Sequence, residues 1–184
     1  MDEQKQASDQ TERLTNVRIV YLPPATVAAS HFIGPDPEMN AGLPLDRLVR
    51  DSGLARIKPD LRHYGFNHPD PSPERPDYGY EVWVTIPDDL EVPAHLTKKH
   101  FAGGLYAAHA IAMGQFEQWE ALCRWVSESP RYEENWGDRD CMGGLLEEVL
   151  DYIHHIDPSD ADSQGEVQLD LLFPIKPRRP AASS

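Results

Sequence analysis

The sequence lacks a long apolar run and is poor in cysteine. None of its 184 residues belongs to a stretch approaching the roughly 20 apolar residues that a membrane span needs. The first residues are polar, which argues against a cleavable secretion signal. Cys123 and Cys141 are the only cysteines, and they do not form a CxxC pair. These absences predict a cytoplasmic protein with reduced thiols and no membrane partner.

The sequence also contains few basic residues compared with acidic ones. The chain has 17 Lys and Arg residues against 31 Asp and Glu residues, so its net charge is −14. A surface this acidic repels phosphate backbones, and we therefore expect no direct binding to nucleic acid. The same charge suits solubility, and it favours cationic ligands or a basic protein partner.

The common catalytic and cofactor motifs are absent. The chain contains no P-loop, no GxGxxG after a strand, no HExxH and no GxSxG. Two histidine groups, His63 with His68 and His154 with His155, do not have the spacing of zinc ligands. We therefore expect no metal and no cofactor.

What is present is a set of short strands and two amphipathic helices. Alternating apolar residues predict strands at 15–22, 26–32, 62–67, 78–86, 96–101, 105–112 and 167–175. Apolar residues at helical spacing predict helices around 43–49 and over 116–126. The polar ends, 1–13 and 177–184, are expected to be disordered tails around one domain at 14–176.

The two halves of this domain, about 14–92 and 93–176, repeat one order of elements. Segment 22–28 aligns with 101–107, Leu45 with Trp119, and 82–87 with 169–174. Each half is predicted to be a βαββ unit, which is too small to enclose a core alone. Two such units joined edge to edge predict an α+β fold. It would have one antiparallel sheet, two main helices on one face and a cleft between the halves.

One segment fits two structures. Apolar residues recur at helical spacing through 143–153, whereas the duplication requires a strand there. In a strand, Glu147 would share one face with Leu145 and Val149, and Glu148 would lie on the other. We favour the strand, which places Glu147 in the middle of the sheet among apolar neighbours.

Aromatic and acidic residues together predict a pocket. Seven aromatic residues lie in elements expected to pack around the cleft: Tyr64, Tyr80, Trp83, Tyr106, Trp119, Trp125 and Trp136. Ring faces attract cations by roughly 0.5–2 kcal/mol each, and a buried carboxylate adds charge recognition or acid–base chemistry. Glu147 is the first candidate for that carboxylate and Glu81 is the second. Because side chains alternate along a strand, Tyr80 and Trp83 cannot both face the cleft without a bulge.

Several motifs in the right order resemble the GyrI-like (gyrase-inhibitor-like) effector-binding family. They are 22–24 with Val27 and Ala28, then 78–89, 101–107, the helix at 119–129, the segment 141–148 and the closing strand at 171–176. The resemblance runs from about Val17 to Lys176, nearly the whole chain. It implies a duplicated βαββ fold with a ligand cleft between the halves. No helix-turn-helix precedes the domain, so we expect a stand-alone member.

The resemblance also assigns the pocket carboxylate. The family's pocket glutamate corresponds to Glu147, or to Glu148 if the alignment slips by one residue. Many relatives carry an aromatic residue two positions further on, where this chain has Val149.

We therefore predict a module that binds small hydrophobic organic molecules, including cationic ones, like the domains that sense drugs in multidrug-responsive transcription regulators. The predicted ligand-binding residues are Glu147, Tyr80, Trp83, Tyr106, Trp119, Tyr64 and Trp136. Two alternatives stay open. One is a hydrolase of cyclopropane-containing DNA-alkylating compounds, with Glu147 as its catalytic residue, and the other is a protein-interaction inhibitor of DNA gyrase. The oligomeric state is also left open.

Overall fold

The computed structural model describes residues 14–74, 77–137, 139–156 and 166–179. The strands are β1 (Arg18–Leu22), β2 (Ala25–Ile33), β3 (His63–Asn67), β4 (Gly79–Ile86), β5 (Thr97–Phe101), β6 (Gly104–Ala112), β7 (Tyr132–Glu134), β8 (Leu146–Val149) and β9 (Gln168–Pro177). The helices are α1 (Pro37–Ser52), α2 (Leu54–Ile57), α3 (Gln118–Ser127) and α4 (Tyr152–Ile156), and a 3-10 helix spans Arg139–Gly144. None of these helices is long and apolar enough to span a bilayer.

The strands form one antiparallel sheet built from two repeats. Its order is β1-β6-β9-β8-β3-β4-β2-β5, and β7 pairs with the end of β9. The first repeat is β2-α1-β3-β4 and the second is β6-α3-β8-β9, and the two join where β3 pairs with β8. Helix α1 packs mainly on β2 and β4, and α3 packs mainly on β9, β7 and β6. This architecture confirms the predicted α+β fold with duplicated βαββ halves.

A pseudo-two-fold axis passes between Gly65 and Glu147. Gly65 pairs with Val82 in the first repeat, Glu147 pairs with Leu171 in the second, and Gly65 and Glu147 pair with each other. The bounds of β1 and β2 lie 79 residues before those of β5 and β6, and with this offset the ladders make Val82 equivalent to Leu171. The alignment of Val82 with Leu169 from sequence was wrong by two residues, a shift that leaves every side chain on its face because strands repeat every two residues.

The two main helices also align differently from the sequence prediction. Leu45 and Val49 are buried in α1, and Leu122 and Val126 are their buried counterparts in α3. Leu45 is therefore equivalent to Leu122, about one helical turn beyond the predicted Trp119. Because of this shift of one helical turn, Trp119 is half-buried at the edge of the second-repeat core and not in its centre.

The other face of the sheet curls around a core of its own. Its buried residues include Leu22, Tyr64, Phe66, Phe101, Tyr106 and Leu172. The strand that precedes each repeat pairs with the opposite repeat: β1 pairs with β6, and β5 pairs with β2. The turns that follow them meet, because a β-carbon on Gly103 (φ +68°) would lie only 2.2 Å from the carbonyl oxygen of Leu22. Glycine at this position therefore lets the two edges close.

The ambiguous segment 143–153 contains both structures in succession. Residues 146–149 form strand β8, as favoured from the duplication, and α4 begins at Tyr152. Tyr152 is buried in the first-repeat core, with Ile153 packed beside it. The helical spacing in the sequence thus arises because the same apolar run supplies a strand and then a short helix.

The folded region extends beyond the predicted C-terminal boundary at 176. Pro177 pairs with Tyr132 of β7, a strand that is not among those predicted from the sequence. The backbone N–H of Arg178 donates to the carbonyl of Arg131 at 2.9 Å. The rest of the predicted tails, residues 1–13 and 180–184, lies outside the described residues.

Candidate functional site

A cavity of about 590 Å³ lies on the helix-covered face of the sheet, over the pseudo-two-fold axis. It exists because each helix covers mainly the outer strands of its own repeat and leaves the central strands β3 and β8 exposed between them. The strands and the chain next to them contribute His63, Asn67, Tyr78, Tyr80, Val82, Glu147, Val149 and Leu169. Helix α1 and the chain around the start of α3 contribute Glu38, Gly42, Met113, Phe116 and Trp119.

Glu147 lies on the floor of this cavity, held by two aromatic donors. The Tyr80 hydroxyl donates to its Oε2 at 2.7 Å, and the Trp119 indole Nε1 donates to its Oε1 at 3.3 Å. Burial raises the pKa of Glu147, and these two hydrogen bonds oppose the rise only in part. No cationic side chain among the described residues pairs with this carboxylate.

Gly65 makes the contact between Tyr80 and Glu147 geometrically possible. Tyr80 lies on β4 and Glu147 on β8, with β3 between them. A β-carbon on Gly65 would lie 2.3 Å from the Tyr80 hydroxyl oxygen and 2.6 Å from its Cε1. The Tyr80 ring therefore lies over a strand position without a side chain, which is the close approach that a glycine inside a strand often marks.

Two further titratable groups face the same cavity. Glu38, in the first turn of α1, accepts a hydrogen bond from the Tyr78 hydroxyl. His63 lies on the floor, and its Nδ1 is buried without a hydrogen-bond partner among the described residues. Burial lowers the pKa of His63 to about 4, because it penalises the imidazolium form. The cavity therefore contains two carboxylates and, at neutral pH, an uncharged imidazole.

The structure brings together three of the seven predicted ligand-binding residues: Glu147, Tyr80 and Trp119. Tyr64, Trp83 and Tyr106 instead lie on the curled face, in or against its core. Trp83 is three residues from Tyr80 in the same strand, so alternation directs it to the opposite face, where its Nε1 donates to Glu81 at 2.6 Å. Trp136 lines a different cavity beside the first.

The alternative carboxylates, Glu81 and Glu148, also lie on the curled face, and each has a cationic partner. Lys99 pairs with Glu81, and Arg62 pairs with both oxygens of Glu148 at 2.6 and 2.7 Å. Burial works to raise the pKa of Glu81, but the hydrogen bonds from Lys99, Trp83 and His68 outweigh it, and the pKa is lowered. Of these three glutamates, Glu147 alone faces the cavity.

Sequence reasoning missed several cavity residues, notably Glu38, His63, Phe116 and Met142. Two of them had a detectable signal. The duplication places the starts of both main helices beside the cleft, and Glu38 and Phe116 lie near those starts. Met142 lies in the 3-10 helix just before β8, and nothing in the local sequence pattern distinguishes it.

The arrangement suits recognition of a ligand by its shape and charge. Aromatic rings and a partly desolvated carboxylate can hold a cation, and a carboxyl group of raised pKa can exchange a proton with a bound molecule. In the described ranges, no three His, Cys, Asp or Glu side chains lie close enough together to hold a metal ion.

Solved structures share this fold at low sequence identity. The C-terminal domain of EcmrR aligns over 88% of this chain and 97% of its own, with 13% identity and a TM-score of 0.58. In its complex with DNA, EcmrR gives 14% identity and a TM-score of 0.59; the alignment covers 94% of this chain but only 62% of EcmrR. A hydrolase from Listeria innocua gives 12% identity and a TM-score of 0.56, covering 94% of this chain and 98% of its own.

The family comparison agrees with the fold. No curated protein matches the sequence. The family described as Cass2, integron-associated effector binding protein, matches residues 18–175, which include both repeats and the whole cavity floor. The match also confirms the resemblance to GyrI-like effector-binding domains. This chain therefore belongs to the Cass2 family of integron-associated effector-binding proteins.

Proposed function

We propose that this protein binds a hydrophobic organic cation in the cavity over the pseudo-two-fold axis, with Glu147 as the counter-charge. One observation carries the proposal: Glu147 is a half-buried, cavity-facing carboxylate without a cationic partner among the described residues. A bound cation would supply the missing charge. Membership of an effector-binding family supports a small-molecule ligand.

The three buried strand carboxylates among the described residues give the contrast that makes Glu147 informative. They lie on the curled face, and each pairs with a Lys or Arg: Glu81 with Lys99, Glu148 with Arg62 and Asp170 with Arg18. An ionised carboxylate removed from water is costly unless it is paired. On the curled face, each buried carboxylate has a cationic partner. On the cavity face, Glu147 has none among the described residues. A buried group kept in an unfavourable state is often a functional group.

The size and walls of the cavity define the class of ligand. A volume of about 590 Å³ falls within the range typical of sites for drug-sized molecules. Tyr80, Phe116 and Trp119 offer ring surfaces, and Val82 and Leu169 add aliphatic surface. Such walls favour a flat or bulky apolar body, and the charge of Glu147 favours a delocalised or quaternary nitrogen on it.

A matched pair of ligands tests this proposal. We expect N-methylacridinium to bind roughly tenfold or more tightly than acridine kept neutral at alkaline pH, because only the cation gains from Glu147 and the ring faces. Isothermal titration calorimetry gives both affinities, and quenching of tryptophan fluorescence reports on contact near Trp119. Equal affinities, or tighter binding of the neutral ring, would be evidence against a cation site.

Acid should weaken binding of the cation. The pKa of Glu147 is raised by burial, so as the pH falls its charge is lost above the usual range for a glutamate. Near pH 4, His63 becomes positively charged and repels the ligand. We therefore expect the affinity for N-methylacridinium to fall on acidification, and binding in weak acid to release protons. Calorimetric titrations in buffers of different ionisation enthalpy measure that proton release. If the affinity for N-methylacridinium stays unchanged down to pH 4, the role of Glu147 is contradicted.

A further inference from the structure

A second cavity, of about 520 Å³, adjoins the first. Its lining includes Asp70, Trp136, Met142, Gly143 and Leu145. Met142 lines both cavities, and the neighbouring residues Asp70 and Pro71 each line one of them. The two spaces therefore meet at Met142, on the side of the site nearest the start of β8.

Trp136 in this second cavity is exposed and yet firmly held. Its side chain is 51% exposed. The indole Nε1 donates to Glu134 at 2.6 Å, and the ring meets Phe173 edge-on at 4.8 Å between centroids. A β-carbon on Gly143, whose φ is +65°, would lie 2.6 Å from the ring. An exposed indole fixed from three sides is a preformed surface on which a flat or cationic group can stack.

The described residues around Trp136 include two carboxylates. Asp70 lines the cavity, and Glu134 accepts the indole hydrogen bond. Neither carboxylate forms an ion pair with a residue whose side chain the structure describes. Trp136 and Asp70 thus repeat, in the second cavity, the combination of ring and carboxylate that Trp119 and Glu147 provide in the first.

Met142 separates the two cavities with a movable side chain. Its sulfur accepts a hydrogen bond from the backbone N–H of Asn67 at 2.8 Å, and the side chain lies between the two spaces. Methionine is unbranched and polarisable, so it can change rotamer and pack against many shapes. A ligand passing beside Met142 would keep an apolar contact between the cavity that holds Glu147 and the cavity that holds Asp70.

We propose that the Trp136 cavity is a second cation subsite, and that the preferred ligands are elongated dications with an apolar linker. One charged head would lie at Glu147, the linker beside Met142, and the other head over Trp136. This inference rests on the proposed function of the first cavity. Gly143, against Trp136, is four residues from Glu147, so their α-carbons are at most about 14 Å apart. A linker of around ten methylene groups can span that distance.

The test compares two ligands of equal chain length. Decamethonium carries a quaternary ammonium at both ends, whereas decyltrimethylammonium carries one. We expect decamethonium to bind the wild type roughly tenfold more tightly. The Trp136→Leu variant should lose this advantage and bind decyltrimethylammonium as the wild type does. Trp136→Phe should keep part of the advantage, because the ring face remains. Calorimetry supplies the affinities, and thermal unfolding checks that each variant is folded.

The outcomes separate the two proposals. If decyltrimethylammonium binds but decamethonium gains nothing, or if Trp136→Leu leaves its gain intact, the second subsite is rejected and the first stands. If neither ligand binds the wild type, the cation site at Glu147 fails and the second subsite fails with it. An equal loss for both ligands in Trp136→Leu would also reject the subsite, since it would indicate a general structural effect.

Discussion

Glu147→Gln is expected to weaken binding of N-methylacridinium by roughly thirtyfold or more, while binding of neutral acridine changes little. The amide keeps the size of the side chain but removes its charge. Removing one member of a desolvated charge pair typically costs about 2 kcal/mol or more, which corresponds to that factor. Calorimetric titration of both ligands against the wild type and the variant measures the effect.

The same substitution should leave the unliganded protein at least as stable. Burial raises the pKa of Glu147 above its value in the unfolded chain. A group of raised pKa contributes most to stability when it is protonated, and that contribution is lost as the pH rises through the folded pKa. The ionised form of Glu147 therefore destabilises the fold relative to its protonated form, and we expect Glu147→Gln to raise the unfolding temperature at pH values above the folded pKa and to change it less in acid.

Glu38→Gln provides the matched control for this prediction. Glu38 lines the same cavity, but it is an exposed residue in the first turn of α1, with Tyr78 as its hydrogen-bond donor. Removing the charge of Glu38 should weaken binding of N-methylacridinium by a smaller factor than Glu147→Gln does. Wild-type affinity for N-methylacridinium in Glu147→Gln would refute the assignment of the counter-charge. A fall in stability at neutral pH would show that Glu147 is a structural residue.

The duplication was the most informative feature of the sequence. It predicted both repeats, and it required a strand in 143–153, where the apolar spacing also suited a helix and where the structure has a strand at 146–149. That choice placed Glu147 mid-sheet and on the helix-covered face. The local pattern was sufficient to place Glu147, because side chains alternate along a strand and the face of one residue fixes the faces of its neighbours.

The remaining errors came from relations between elements. Tyr64, Trp83 and Tyr106 are aromatic residues of the right type, but the curled face supplies a second core to bury them. No local pattern shows that a sheet curls far enough to do so. Likewise, the helix alignment was wrong by about one turn, and only packing shows that Leu122 rather than Trp119 fills the core beneath α3.

The site itself is asymmetric although the scaffold is nearly symmetric. The axis relates Glu147 to Gly65, so one repeat supplies a carboxylate where the other supplies no side chain. Tyr80 uses that space to reach across β3 to Glu147. Ligand recognition therefore depends both on the carboxylate of Glu147 and on the absence of a side chain at Gly65.

Gly65→Ala is accordingly expected to disrupt both the fold and the site. Its β-carbon would meet the Tyr80 hydroxyl oxygen at 2.3 Å, and because Tyr80 is buried in the first-repeat core, the ring cannot move freely. Overpacking of this kind typically costs about 1–3 kcal/mol. The displaced hydroxyl would also cease to orient Glu147, so we expect cation affinity to fall roughly tenfold. Chemical denaturation and calorimetry measure the two effects.

Gly42→Ala and a double-mutant cycle test the cause of that loss. A β-carbon on Gly42, inside α1, would meet nothing within 4 Å, so this variant should be as stable as the wild type or more stable by up to about 1 kcal/mol. In the Tyr80→Leu background the clashing atoms are gone, and Gly65→Ala should then cost little. A coupling energy of about 1 kcal/mol or more would establish that the glycine serves Tyr80. If Gly65→Ala reduces the free energy of unfolding equally in both backgrounds, glycine is required by the backbone of β3. The contact between Tyr80 and Glu147 would then not explain why position 65 is a glycine.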